Sequence, residues 1–104
     1  MTHDILNQDS LTMRTLPLEN NLRWVGIKLD ITELDSAGTE TFTATDYIDV
    51  VSAGSVLSVE NDEYSIVYDH VAGNISVRNK SDGAAVANNT AVGELMLVLW
   101  GFDT

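Results

Sequence analysis

Residues 23–32 carry the strongest structural signal in the chain, a strict alternation of apolar and other side chains. The apolar residues occupy every second position: Val25, Ile27, Leu29 and Ile31. The positions between them include Trp24, Lys28 and Asp30. Alternation with a period of two is typical of a β-strand that has one face in the core and the other in solvent. The pattern therefore predicts a half-buried strand with Trp24 on its outer, exposed face.

The rest of the chain is divided into short apolar segments by clusters of turn-forming residues. Further strands are predicted at residues 39–45, 56–60, 63–69, 75–79, 84–87 and 91–102. Turns are predicted between them, at residues 35–38, 52–55, 61–62, 72–74, 81–83 and 88–90. Residues 46–51 fit a helical turn capped by Asp46 as well as a short strand. About eight short strands indicate an all-β fold, a small antiparallel β-sandwich or barrel.

The last predicted strand, residues 91–102, is apolar on both faces apart from Glu94. Such a pattern is typical of a central strand that is covered on both sides. A chain of 104 residues has little material with which to cover both faces. We therefore expect a homo-oligomer, with a trimer as the favoured state, and Trp100 or Phe102 near the subunit contact.

Residues 1–21 show no clear period, although they contain scattered apolar residues: Leu11, Met13, Leu16 and Leu18. Pro17 disfavours helical geometry at the residue before it. We interpret residues 1–21 as an extended N-terminal arm whose apolar residues dock on another protein, with a frayed terminus as the alternative. Residues 22–104 are then the single β domain.

Acidic residues outnumber basic residues by 16 to 5, which gives a formal net charge of −11. Such a chain repels nucleic acid and anionic membranes, so neither is an expected partner. The charge serves either solubility or complementarity to a basic protein surface. The chain has no cysteine, which excludes disulfides and thiolate sites. No apolar run is long enough for a transmembrane helix, and residues 1–9 lack the features of a signal peptide, so we expect no secretion by that route.

Candidate catalytic residues lack the companions that their chemistry requires. Ser55 is not in a nucleophile elbow, and His70 is its only plausible base. Asp62 and Glu63 are adjacent in a predicted turn, unlike the opposed carboxylates of a glycosidase. His70 has only carboxylates available as further zinc ligands, and His3 lies in the predicted arm. We therefore predict a protein that is not an enzyme and has no cofactor or catalytic metal.

Two binding alternatives remain open. Asp30, Glu33 and Asp35 offer oxygen ligands ahead of a turn, which suits a structural calcium ion, but their spacing does not match an EF-hand loop. Trp24 and the tyrosines offer aromatic surface for a sugar. An exposed tryptophan more often marks a protein-binding surface.

The chain resembles the small virion proteins of tailed bacteriophages, in particular the capsid decoration or cement class. Four features carry this resemblance: the polar arm before Leu22, the strand–turn–strand segment 64–79, the Asn- and Ala-rich segment 84–90, and the closing strand 93–101. The resemblance implies a β-sandwich or barrel, frequent trimers, and attachment to the outer capsid where subunits of the major capsid protein meet. Other small head and tail proteins of phages share this organisation.

The resemblance implies a capsid-stabilising protein that is made in the host cytoplasm and located on the virion surface. The alternative function is a carbohydrate- or receptor-binding β-module. The expected capsid or subunit contacts are the apolar residues of the arm, the tryptophan on the exposed face of the first predicted strand, and the aromatic residues at the end of the last one: Leu11, Met13, Leu16, Leu18, Trp24, Trp100 and Phe102.

Overall fold

A computed structural model describes residues 2–13 and 21–103, which form seven β-strands and one 3₁₀ turn. The strands are β1 (His3–Met13), β2 (Asn21–Ile31), β3 (Thr39–Thr41), β4 (Val50–Val59), β5 (Tyr64–Asp69), β6 (Asn74–Asn79) and β7 (Gly93–Asp103). The 3₁₀ turn, Ala44–Asp46, connects β3 to β4.

The strands form two antiparallel sheets that pack face to face. The larger sheet has the order β1-β2-β7-β4, and the smaller sheet has the order β3-β6-β5. Both sheets contribute to one apolar core, which includes Leu29 and Leu97 from the larger sheet and Ile75 and Val77 from the smaller. The predicted all-β class is confirmed as a small sandwich, and the sheets of the described residues do not close into a barrel.

Strand β2 confirms the pattern that predicted it. Its four alternating apolar residues are completely buried: Val25, Ile27, Leu29 and Ile31. Trp24, predicted to lie on the outer face, is 44% exposed. The period of two therefore identified both which residues enter the core and which side of the strand faces away from it.

Residues 3–13, predicted to be part of an arm, are extended but form the edge strand β1 of the larger sheet. They pair with β2 from His3 opposite Ile31 to Met13 opposite Leu22. A β-bulge between Ile5 and Asn7 shifts the register and leaves Leu6 about half exposed. Because a bulge inverts the alternation of faces, β1 shows no continuous period in the sequence.

Strand β4 runs through the predicted turn at residues 52–55. Gly54 lies inside this strand, and the Tyr68 ring occupies the space that a Cβ would need, with the ring Cε2 2.8 Å from the ideal Cβ position, which explains the glycine at this position. The predicted strand at 39–45 is limited to Thr39–Thr41, and residues 46–51 contain the end of the 3₁₀ turn and the start of β4. The predicted strand at 84–87 is reduced to one bridge between Arg78 and Ala85.

Strand β7 lies inside the larger sheet, between β2 and β4, as its apolar sequence predicted. Leu95, Leu97 and Leu99 are buried against the smaller sheet. The opposite face of β7 is only partly buried, and Trp100 on that face is 39% exposed. Within the described chain, β7 is thus covered by the core on one side only.

Candidate protein-binding face

The outer face is the side of the larger sheet that points away from the smaller sheet. Residues in antiparallel register project from the same side, so the strand pairing divides this face into rows. One row runs from Leu11 through Trp24 and Trp100 to Ala53. The row beside it, towards one end of the sheet, contains Leu22, Phe102 and Val50. On the other side lies a row of Asp9, Gly26, Val98 and Ser55.

The apolar side chains of these three rows form a continuous surface, which we call the apolar patch: Leu11, Leu22, Trp24, Val50, Val98, Trp100 and Phe102. Leu11 is 56% exposed, and Trp24 and Val50 are each 44% exposed. Trp24 and Trp100 are direct cross-strand partners, with ring centroids 5.8 Å apart and planes at 43°. Each ring therefore holds the other in place while much of its surface still faces solvent.

The outer face changes from apolar to charged along the strands. Beyond the row of Gly26 lie Asn7, Lys28, Met96 and Ser58, followed by Asp4, Asp30 and Glu94. Lys28 Nζ forms an ion pair with Glu94 Oε1 at 3.1 Å. The far end of the face consequently carries a net negative charge.

A groove of about 490 Å³ separates the apolar and charged parts of the face. Its floor is Gly26, where an added Cβ would lie 3.0 Å from the Cε methyl of Met96. Trp24 and Lys28 are the residues on either side of Gly26 on the same face of β2, and Asp9 is opposite Gly26 on β1. The missing side chain at Gly26 therefore creates a depression bordered by an aromatic ring, an acid and a base.

The predicted contact residues come together where the structure describes them. Leu11, Trp24, Trp100 and Phe102 all lie on the outer face, although they come from three strands. Of Met13 the structure describes the backbone, in register with Leu22. Two further predicted contacts, Leu16 and Leu18, lie outside the described residues.

The residues considered for catalysis or metal binding are dispersed. His70 is exposed in the turn after β5, Ser55 lies on the outer face of β4, and Asp62 and Glu63 are exposed between β4 and β5. Across residues 2–13 and 21–103, no three His, Asp or Glu side chains are arranged to hold a metal ion.

A buried polar cluster around Glu40 was not predicted from the sequence. Glu40 is fully buried, and its carboxylate accepts hydrogen bonds from the Thr2 hydroxyl and, at 3.0 Å, from the Asp35 backbone N–H. His3 Nδ1 lies 2.5 Å from the same carboxylate. The sequence contained an indication of this burial, because residues two apart in a strand lie on the same face and Phe42, two residues after Glu40, is buried. This cluster connects the beginning of β1 to the smaller sheet.

Comparison of the chain with protein-family models, with curated proteins and with solved structures found no match. The described residues form no helix of the length and apolarity needed to cross a bilayer.

Proposed function

We propose that this protein is a non-enzymatic structural component of a phage virion that binds the outer capsid surface and stabilises the shell. The observation that carries the proposal is the apolar patch on the outer face, with its exposed pair Trp24 and Trp100. Tryptophans that are held rigidly and exposed are frequent anchors of protein–protein contacts. The resemblance to capsid decoration proteins adds the choice of partner, the major capsid protein.

The size of the patch supports a role as the centre of a larger interface. Four strands about 4.8 Å apart and three rows about 7 Å apart give the rows an area of roughly 400 Å², of which the apolar patch occupies somewhat more than half. An exposed apolar patch of this size is often functional in a monomer. A stable interface buries about 800 Å² per partner, so the contact would extend onto the polar part of the outer face. Apolar centre and polar rim are the usual arrangement of such an interface.

The mechanism is preferential binding to the closed shell. A protein that contacts two neighbouring capsid subunits binds the assembled shell better than the disrupted one. Its occupancy then stabilises the shell by mass action, and several symmetry-related copies add avidity. This mechanism requires a rigid binding surface and no catalytic residue.

Self-association is a separate part of the proposal. We propose a homotrimer in which the end of the apolar patch at Trp100 and Phe102 lies near the subunit contact. Sedimentation velocity at micromolar concentration should then give a mass of about three chains. A purely monomeric protein would contradict the trimer without affecting the proposed contact with the capsid.

A carbohydrate- or receptor-binding module is the second candidate function. The observation in its favour is the groove, in which Trp24 is exposed beside the polar residues Asn7 and Asp9. The 43° tilt between the rings of Trp24 and Trp100 favours the protein partner, because the two rings do not form one flat platform for a sugar chain. Glycan-array binding that requires Trp24 would favour this candidate.

The test is thermal release of the genome from virions stripped of this protein and then reconstituted with it. Wild-type protein should raise the release temperature, and the W24S variant should bind and protect poorly. V71S is the matched control, because Val71 is 85% exposed but lies in the turn between β5 and β6, away from the outer face. An unchanged release temperature at full occupancy would refute the stabilising role.

A further inference from the structure

We infer that the groove over Gly26 binds an arginine side chain of the partner protein, stacked on Trp24 and paired with Asp9. The inference rests on the proposed function, since it specifies the chemistry of the surface that the outer face recognises. An arginine bound in the groove would give the contact specificity, because the apolar patch alone does not distinguish one apolar partner surface from another.

The shape of the groove suits a flat, elongated group. Gly26 has no side chain, and the Cε methyl of Met96, which projects from the same face, lies close to the position of the missing Cβ, so the two residues form an apolar floor. Trp24, 44% exposed, provides an aromatic wall. Asp9 lies opposite Gly26 on β1, so it is a diagonal neighbour of Trp24 at a separation of about 7–8 Å between Cα atoms. A guanidinium group placed between them contacts the ring with its face and the carboxylate with its N–H groups.

The charges in the groove select a cation. Lys28, the basic residue of the groove, is paired with Glu94 at 3.1 Å, so its charge is locally compensated. The Asp9 carboxylate accepts the Ser10 backbone N–H at 2.8 Å through Oδ1. No basic side chain in the described part of the chain forms an ion pair with Asp9. The net charge of −11 attracts a basic partner over a longer range.

Charge also argues against a second copy of this chain as the occupant. Two copies packed outer face to outer face either bring their acidic ends together or place the acidic end of one, with Asp4, Asp30 and Glu94, on the apolar part of the other. The first arrangement brings like charges close together, and the second removes charged groups from water, so both are disfavoured. Arginine is favoured over lysine because its planar, weakly hydrated group stacks on an indole ring and binds a carboxylate through two N–H groups.

The experiment is a titration of the full chain with the peptide hexa-arginine at low salt, followed by the indole N–H signals in ¹⁵N-resolved NMR spectra. The chain has two tryptophans, Trp24 and Trp100, so it gives two indole signals, which W24L assigns. Hexa-arginine should shift the Trp24 signal saturably, and hexa-lysine should bind more weakly. D9N keeps the amide oxygen that caps Ser10 but removes the charge, so it should weaken binding about threefold or more.

D62N is the matched control, because Asp62 is exposed in a turn and its substitution changes the net charge by the same amount. Equal weakening by D9N and D62N, or no shift of the Trp24 signal, would overturn the inference. Capsid binding by D9N at wild-type strength would also overturn it while leaving the proposed function intact. If hexa-arginine binding depends on Asp9 but the protein does not bind capsids, the arginine site is supported and the capsid is refuted as the partner.

Discussion

Removal of the Glu40 side chain should cause one of the largest losses of stability available from a single substitution in this protein. Glu40 is fully buried and accepts hydrogen bonds from the Thr2 hydroxyl and the Asp35 backbone N–H, with His3 Nδ1 at 2.5 Å. E40A removes the acceptor for these groups at once. The variant also leaves a cavity beside the core, which adds to the cost.

The expected magnitude follows from what remains after the substitution. A buried donor left without its acceptor typically costs about 1–3 kcal/mol, so the loss of an acceptor shared by several donors, together with the cavity, should cost about 3–5 kcal/mol. A domain of this size has a total stability of about 5–15 kcal/mol, so E40A should remove a large fraction of it. E40Q keeps an oxygen for the Asp35 N–H and a similar volume, so its loss should be smaller, about 1–3 kcal/mol.

Urea unfolding followed by tryptophan fluorescence measures these losses. For a slope of about 2 kcal/mol per molar urea, E40A should lower the midpoint by about 2 M. Glu33 is exposed, so E33A serves as the control and should change stability by less than about 0.5 kcal/mol. An E40A loss below about 1 kcal/mol would show that the cluster contributes little and that β1 is held by its backbone pairing alone.

Three further predictions concern the sheets. G54A should lower the free energy of unfolding by about 1–3 kcal/mol in the same urea assay, because its Cβ collides with the Tyr68 ring; wild-type stability would refute this account of the close packing. Burial, and to a smaller extent the charge of Asp69, raises the pKa of Tyr68 above its ordinary value of 10.0. The stability that this shift contributes is complete below pH 10 and is lost as the pH rises through the folded-state pKa, so Y68F should lose less stability than wild type between pH 9 and about 12. Asn7 Oδ1 accepts the Gln8 backbone N–H at 2.8 Å on the edge strand β1. N7V frees this N–H to pair with a strand of another copy, so it should cause concentration-dependent association in light scattering. N7D keeps an acceptor and should remain monodisperse.

Much of the fold was predictable wherever local pattern and tertiary environment agree. Apolar and other side chains alternate along β2 because one face of the strand lies in the core and the other does not. Strands β5 and β6 were also placed to within about one residue, because turn residues bracket them. The same alternation correctly predicted that Trp24 is exposed.

Other elements depend on contacts between distant residues, which no local pattern contains. Gly54 is a turn signal in the sequence, yet it lies in β4, where its missing side chain makes room for the Tyr68 ring. The bulge near Leu6 inverts the alternation in β1, so an edge strand resembles an unpatterned arm. The outer face also required the order β1-β2-β7-β4, since Leu11 and Trp100 become neighbours of Trp24 only through that pairing.

The two edge strands of the larger sheet are poor sites for pairing with another strand, so a partner would bind the outer face of the sheet. A sheet edge with free N–H and C=O groups invites pairing with another strand. Along β1, the Gln8 and Ser10 N–H groups donate to the side chains of the residues before them, Asn7 and Asp9. Along β4, register shifts at Ser52 and Leu57 interrupt the regular spacing that an added strand would need. Neither edge therefore offers a regular template, whereas the outer face presents apolar side chains fixed by regular pairing. Binding through side chains on a rigid face gives a contact whose geometry is set in advance, which lowers the entropic cost of forming it.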